Sequence, residues 1–250
     1  LERLRLVHSV LVILAGVITA GLGTPVHAQE IYGFESLGAN SFIDGQDNWV
    51  DQPFQGQGIV TVDASPVNGT KVVGVLPETA FDEATYLTRI NDENFSFPAF
   101  TGFESDAVIQ FDLTGEHIAL FASGHDQSGD GMLKASEGEI GPAFGTDDRN
   151  FVLQQANRGT AFEVAFGQGN AGGDWYRMQL RIDFAANGGN GSGSVFYRNL
   201  TDGDTEFQPV AGLQEIDLRL SDMSTNAGPA TWDAMWLDLL NSGSARPSVD

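Results

Sequence analysis

The sequence predicts an all-β chain folded as a two-sheet antiparallel β-sandwich of the jelly-roll type. Three observations predict it. Apolar and polar residues alternate with period two in segment after segment, stretches rich in Gly, Asn and Asp separate those segments, and residues 29–250 hold no apolar stripe of helical spacing sustained over three turns.

The first 28 residues stand apart from this pattern. Glu2, Arg3 and Arg5 precede an apolar run from Val10 to Ala20, the chain loosens at Gly21, Gly23 and Pro25, and it reaches Val26-His27-Ala28. A basic end, a short apolar stretch and a small-x-small exit predict a secretory signal peptide cleaved near Ala28. The run is shorter than the ~20 residues that cross a bilayer. The expected destination is therefore the periplasm, the cell surface or the medium, with residues 29–250 as a single β-sandwich domain.

Among the strands, Tyr176, Met178, Leu180, Ile182 and Phe184 alternate with Arg177, Gln179, Arg181 and Asp183, which predicts one buried and one wet face. Similar runs cover 107–113, 118–122, 162–166 and 216–220, and shorter ones 32–35, 59–62, 71–76, 195–198 and 232–239. The intervening stretches 167–173, 187–193, 202–204 and 224–229 have the composition of turns between antiparallel strands.

Composition narrows the function classes. A net charge of -22 excludes nucleic acid and anionic membranes as partners, since both require a basic surface, and it favours cations as ligands. With no Cys, the chain has neither a disulfide framework nor thiolate metal sites, so its stability rests on a large core to which 17 Phe contribute.

The order of segments adds a resemblance. Tyr32-Gly-Phe-Glu35 leads to Ile43-Asp-Gly-Gln-Asp-Asn-Trp49; later come Trp175 to Asp183, a Gly-rich turn, Val195-Phe-Tyr-Arg198 and a closing Trp232-Asp-Ala-Met-Trp236. This resembles the concanavalin A-like lectin/glucanase jelly roll, in particular the laminin-G-like domains of exported bacterial proteins. The resemblance implies two stacked antiparallel sheets. It also implies a non-catalytic exported binding or surface module directed at carbohydrate. Two alternatives stay open: a polysaccharide-active enzyme, hydrolase or lyase, on the same fold, and a structural protein of an envelope or matrix.

The most specific local motif is Asp126-Gln-Ser128-Gly-Asp130-Gly131-Met132-Leu-Lys134-Ala-Ser-Glu137. Its spacing resembles the twelve-residue calcium loop of EF-hand proteins. By that resemblance Asp126, Ser128 and Asp130 would supply side-chain oxygens to a structural Ca²⁺, Met132 its backbone carbonyl and Glu137 both carboxylate oxygens, with Glu139 the alternative closing residue. Gly131 would make the sharp turn. The flanks are not those of an EF-hand, because a strand-like run precedes the loop and Gly138, Gly141 and Pro142 follow it. Lys134 occupies a place where a ligand is common.

Weaker candidates complete the reading. Glu215 and Asp217 would share one face of a strand, as an acid–base pair for glycoside hydrolysis requires, but Arg219 stands where a jelly-roll glucanase carries a further Glu. His125 would be a neighbour of the calcium ligands or an exposed loop residue. Trp49, Trp175, Trp232 and Trp236 would be mostly core, with at most one or two exposed for stacking on sugar rings. The sequons at Asn68, Asn94, Asn190 and Asn199 would mark surface loops.

Overall fold

A computed structural model describes residues 36–51, 58–62, 71–75, 83–90, 102–110, 117–147, 149–166, 174–224, 232–241 and 248–249. The export signal and the run 32–35 lie outside them. The strands are β1 (Ser41–Phe42), β2 (Trp49–Asp51), β3 (Gly58–Val62), β4 (Lys71–Val75), β5 (Glu83–Ile90), β6 (Gly102–Gln110), β7 (His117–Gly124), β8 (Ile140–Asp147), β9 (Asn150–Gln154), β10 (Ala161–Ala165), β11 (Trp175–Asp183), β12 (Ser192–Asn199), β13 (Gln208–Pro209), β14 (Ile216–Asp217), β15 (Ala234–Asn241) and β16 (Ser248–Val249).

Among the described residues these strands form two sheets. One has nine strands, in the order β1-β3-β4-β16-β6-β11-β12-β13 with β14 also on β12, and the other has seven, in the order β10-β9-β8-β7-β15-β5-β2. Every pairing is antiparallel. The predicted all-β sandwich is therefore the fold observed.

The inward half of the β11 alternation is as the sequence implies, while the outward face is wet only toward Arg181 and Asp183, Gln179 being buried. Tyr176, Met178, Leu180 and Ile182 are buried, while the outward Arg181 is exposed and lies 4.2 Å from the centroid of the Phe196 ring. From the seven-stranded sheet, Phe151 meets this layer, with its ring 6.0 Å from Tyr176 and 4.6 Å from Tyr197. Leu87, Ala119, Phe144, Leu153, Leu237 and Leu239 are buried on that same inner face. Burial of this apolar area is the main term holding the layers together.

Several strands do not show in the sequence as alternating runs. β8 is buried almost throughout, because the sandwich core covers one of its faces and the loop 125–139 the other. Its composition, Ile-Gly-Pro-Ala-Phe-Gly-Thr-Asp, reads as a turn, but Gly145 is required by close packing: a Cβ there would stand 1.9 Å from the Ala119 carbonyl oxygen. Conversely, the strand expected over 216–220 is only two residues long. Arg219 takes a left-handed conformation with φ 52, its amide donates to Asp217 Oδ1 at 3.0 Å, and the chain passes into a 3-10 turn at Leu220–Asp222.

All four Trp side chains are buried. The sequon at Asn199 is not a surface loop either. This residue ends β12 at 2% exposure, and its side-chain amide donates to Asp174 at 2.8 Å and to Asp202 at 3.0 Å. Among the described residues no helix is long and apolar enough to cross a membrane.

Candidate functional site

The loop 125–139 folds back over the outward face of the seven-stranded sheet. Leu133 is its anchor: its side chain is fully buried among Leu120, Ala122, Ile140, Ala143, Val152, Ala234 and Trp236, and its amide donates to Thr88 Oγ1 at 3.1 Å. Left-handed glycines at 129 and 131 curl the preceding segment so that its amides converge on one carboxylate. Asp126 Oδ1 accepts from the Ser128 hydroxyl and from the amides of Gly129 and Asp130, while its Oδ2 accepts from the Gly131 amide at 2.7 Å.

The other acidic residues of the motif are committed as well. Asp130 Oδ1 accepts from the Met132 amide at 3.1 Å. The Lys134 ammonium donates to Asp130 Oδ2 and to Glu137 Oε1, and this contact holds the Asp130 carboxyl below the usual carboxylate range. Glu139, not Glu137, turns into the loop. It is fully buried and accepts from the Ser128 amide at 2.9 Å and the Lys134 amide at 3.0 Å.

The predicted calcium ligands are thus neighbours, but their oxygens face amide hydrogens and an ammonium group instead of a common centre. Among the described residues no group of three or more Asp, Glu or His side chains is arranged to hold a metal ion. In this arrangement Lys134 supplies, beside Asp130 and Glu137, the positive charge a bound cation would bring. His125 pairs with Asp233 through Nδ1 at 2.9 Å. Glu215 and Asp217 lie on the edge of the nine-stranded sheet, both exposed; Glu215 stands in a left-handed conformation with φ 57, so strand alternation does not relate their faces.

A cleft of about 350 Å³ opens beside the loop, lined among others by Tyr86, Met132, Lys134, Ser136, Arg158 and Trp236. Its floor is set by strand register: Tyr86 faces Asp238 across β5 and β15, with Trp236 two residues before Asp238 on the same face. The Tyr86 and Trp236 rings stack at 5.8 Å with an interplanar angle of 19°. Above them lies Arg158, its guanidinium carbon 4.7 Å from the Tyr86 centroid and 6.0 Å from that of Trp236.

Beneath Arg158, Asp238 is 3% exposed, and its Oδ2 lies 3.6 Å from a guanidinium nitrogen. Its Oδ1 and the Trp236 indole nitrogen are buried without a hydrogen-bond partner. Burial pushes the Asp238 carboxyl up to about 7; nearby Asp147 adds to the shift, and Arg158 opposes it. Burial, with a smaller contribution from Asp238, also raises the Tyr86 phenol.

Sequence reasoning missed this cleft because Tyr86, Arg158 and Trp236 are far apart in the chain and meet only through the β5–β15 pairing and the 156–158 turn. One signal does point to it. Asp238 is the lone acid inside the apolar run Met235-Trp-Leu-Asp-Leu-Leu240, and an acid in such a run must be paired or neutral.

No protein-family model and no curated protein matches the chain. Among solved structures it is similar to arcelin-5, a lectin-like defense protein from Phaseolus vulgaris, at 9% identity and a TM-score of 0.46, covering 84% of this chain and 95% of that one. It is also similar to the metal-free form of lectin I-B4 from Griffonia simplicifolia, at 11% identity and 0.45, covering 84% and 93%. A third similarity, at 11% identity and 0.36, is to alginate lyase Aly36B in complex with an alginate trisaccharide, covering 72% and 79%. All three are concanavalin A-like jelly rolls; the fold class of this chain rests on the registers of its own two sheets.

Proposed function

We propose that this chain is an exported, non-catalytic binding module directed at carbohydrate, and that its ligand site is the cleft on the outward face of the seven-stranded sheet. The observation that carries the reading is the half-buried Tyr86 ring lining that cleft, backed by the buried Trp236 indole on which it stacks. A sugar ring offers an apolar C–H face to an aromatic floor and a fringe of hydroxyls to polar neighbours, and Lys134 and Ser136 supply such neighbours. An uncharged sugar suits the chain best, because a polyanion would be repelled by a net charge of -22.

Export is supported by the basic, apolar and small-residue order of the first 28 residues. The calcium ion expected at the loop enters only as a competitor of Lys134 for Asp130 and Glu137. Turnover would require an acid or base reaching the ligand. Asp238 lies buried beneath Arg158 and His125 is engaged with Asp233, so binding without turnover is the better-supported reading.

The test is retention on a panel of immobilised neutral polysaccharides. The wild type should be held by at least one, Tyr86→Phe should be held almost as well because the ring face remains, and Tyr86→Ala should elute early. Retention of Tyr86→Ala equal to wild type, or none for the wild type on any polymer, would remove the proposal.

A further inference from the structure

Arg158 both lines the cleft and covers its aromatic floor, and it is fixed at two ends. Its backbone belongs to a strained turn in which Asn157 and Arg158 are both left-handed, with φ 53 and 57. That turn is pinned by the Asn157 side chain, whose Oδ1 accepts from the Ile140 amide at 3.1 Å and whose Nδ2 donates to the Asp222 carbonyl at 2.6 Å. The side chain itself is 41% exposed and is tied down by one ion pair, to Asp238, and by a hydrogen bond to the Tyr86 hydroxyl.

Asp238 is a poor permanent anchor. One oxygen has no hydrogen-bond partner, and the other has its cation at 3.6 Å, beyond hydrogen-bonding distance. A buried carboxylate so sparsely compensated is costly to keep charged. The titratable and charged groups that face it are Arg158 from the 156–158 turn, Tyr86 from β5 and Asp147 from β8; β7 contributes the uncharged Leu120 opposite it.

We infer that Arg158 is a latch across the Tyr86–Trp236 floor, held by the negative charge of Asp238 and released when Asp238 takes up a proton from solvent, so that the cleft admits its ligand in a proton-linked way. This rests on the carbohydrate reading of the cleft. With the carboxyl protonated the ion pair is gone, and the guanidinium keeps its contacts with the two rings and its hydrogen bond to the Tyr86 hydroxyl. The Asp238 carboxyl titrates near 7. Between pH 8 and pH 6 its protonated share rises from about one tenth to about nine tenths, and apparent affinity follows the open fraction, so binding should tighten roughly tenfold.

The experiment measures dissociation constants of the full chain for the neutral polysaccharide that retains it, at pH 6, 7 and 8, for wild type, Asp238→Asn and Arg158→Gln. Wild type should tighten roughly tenfold toward pH 6, and both variants should bind at pH 8 as wild type does at pH 6, with a flat profile. A flat wild-type profile, or an Asp238→Asn profile that keeps the slope, overturns the latch. Infrared difference spectra supply a readout independent of ligand: a buried carboxylic-acid band should titrate near pH 7 in wild type and be missing in Asp238→Asn. If that band titrates, together with a change in tryptophan fluorescence, and no polymer binds at any pH, the latch stands and the carbohydrate reading falls. If the band is absent from wild type, the latch falls. Arg158→Gln keeps the test decisive should Asp238→Asn fail to fold.

Discussion

The Lys134 ammonium lies 3.1 Å from the Glu137 carboxylate, so a positive charge built into the chain sits beside a carboxylate that the loop motif would give to a metal ion. Asp130 receives a second hydrogen bond from the same ammonium. The wild type should therefore melt at nearly the same temperature with calcium and with a chelator. Lys134→Ala uncovers both carboxylates and should gain a calcium-dependent rise, visible by calorimetry. A wild-type rise as large as that of the variant would show that the ammonium does not compete.

Glu139 is the carboxylate that holds the loop closed, because its buried side chain accepts from two part-buried loop amides, those of Ser128 and Lys134. Glu139→Ala strands both, and at roughly 1–3 kcal/mol for each unsatisfied group should cost about 2–4 kcal/mol in denaturant unfolding. Glu139→Gln keeps one acceptor oxygen and should lose less. Equal losses for the two variants would mean that the cavity, not the hydrogen bonds, accounts for the effect.

At Gly145 there is no room for even a methyl group, since the obstacle is the backbone carbonyl of Ala119 and not a movable side chain. Gly145→Ala should separate β7 from β8 locally and destabilise the chain by about 3 kcal/mol, as overpacking does. A midpoint shift no larger than that of an exposed Gly203→Ala control would contradict this close approach.

Asp238 should make stability fall with rising pH. Its carboxyl titrates near 7 when folded and near 3.9 when unfolded. Between those values the folded chain holds a proton that the unfolded chain has released, so stability is lost as pH rises through the window and levels off above it. Asp238→Asn lacks this loss. Its stability relative to wild type should grow by about 1.4 kcal/mol per pH unit between roughly pH 4 and 7. A difference independent of pH would show that the carboxyl is not perturbed.

What can be read from the chain alone depends on whether physics leaves a local trace. In β11 each inward residue has an outward polar neighbour, so the alternation by itself places Tyr176, Met178, Leu180 and Ile182 on one face. β8 leaves no such trace, because both of its faces are covered and close packing against β7 demands Gly145, a residue that otherwise marks turns. Ligand spacing in the loop is legible, but the outcome is set by Lys134 and Glu139, whose inward roles depend on how the loop lies against Thr88 and the sheet. The cleft needs long-range register: nothing near Tyr86 in the sequence points to Asp238 or Trp236.

Asn199 carries a consequence for producing the protein in a eukaryotic host. Its amide nitrogen, the atom to which an N-linked sugar would be joined, is spent on Asp174 and Asp202 inside the molecule. A glycan could be attached there only while the chain is still threading, and a chain so marked could not dock the end of β12 beside Tyr176 on β11. Quality control would then hold back the marked copies, so that peptide mass mapping of the secreted material should find Asn199 bare.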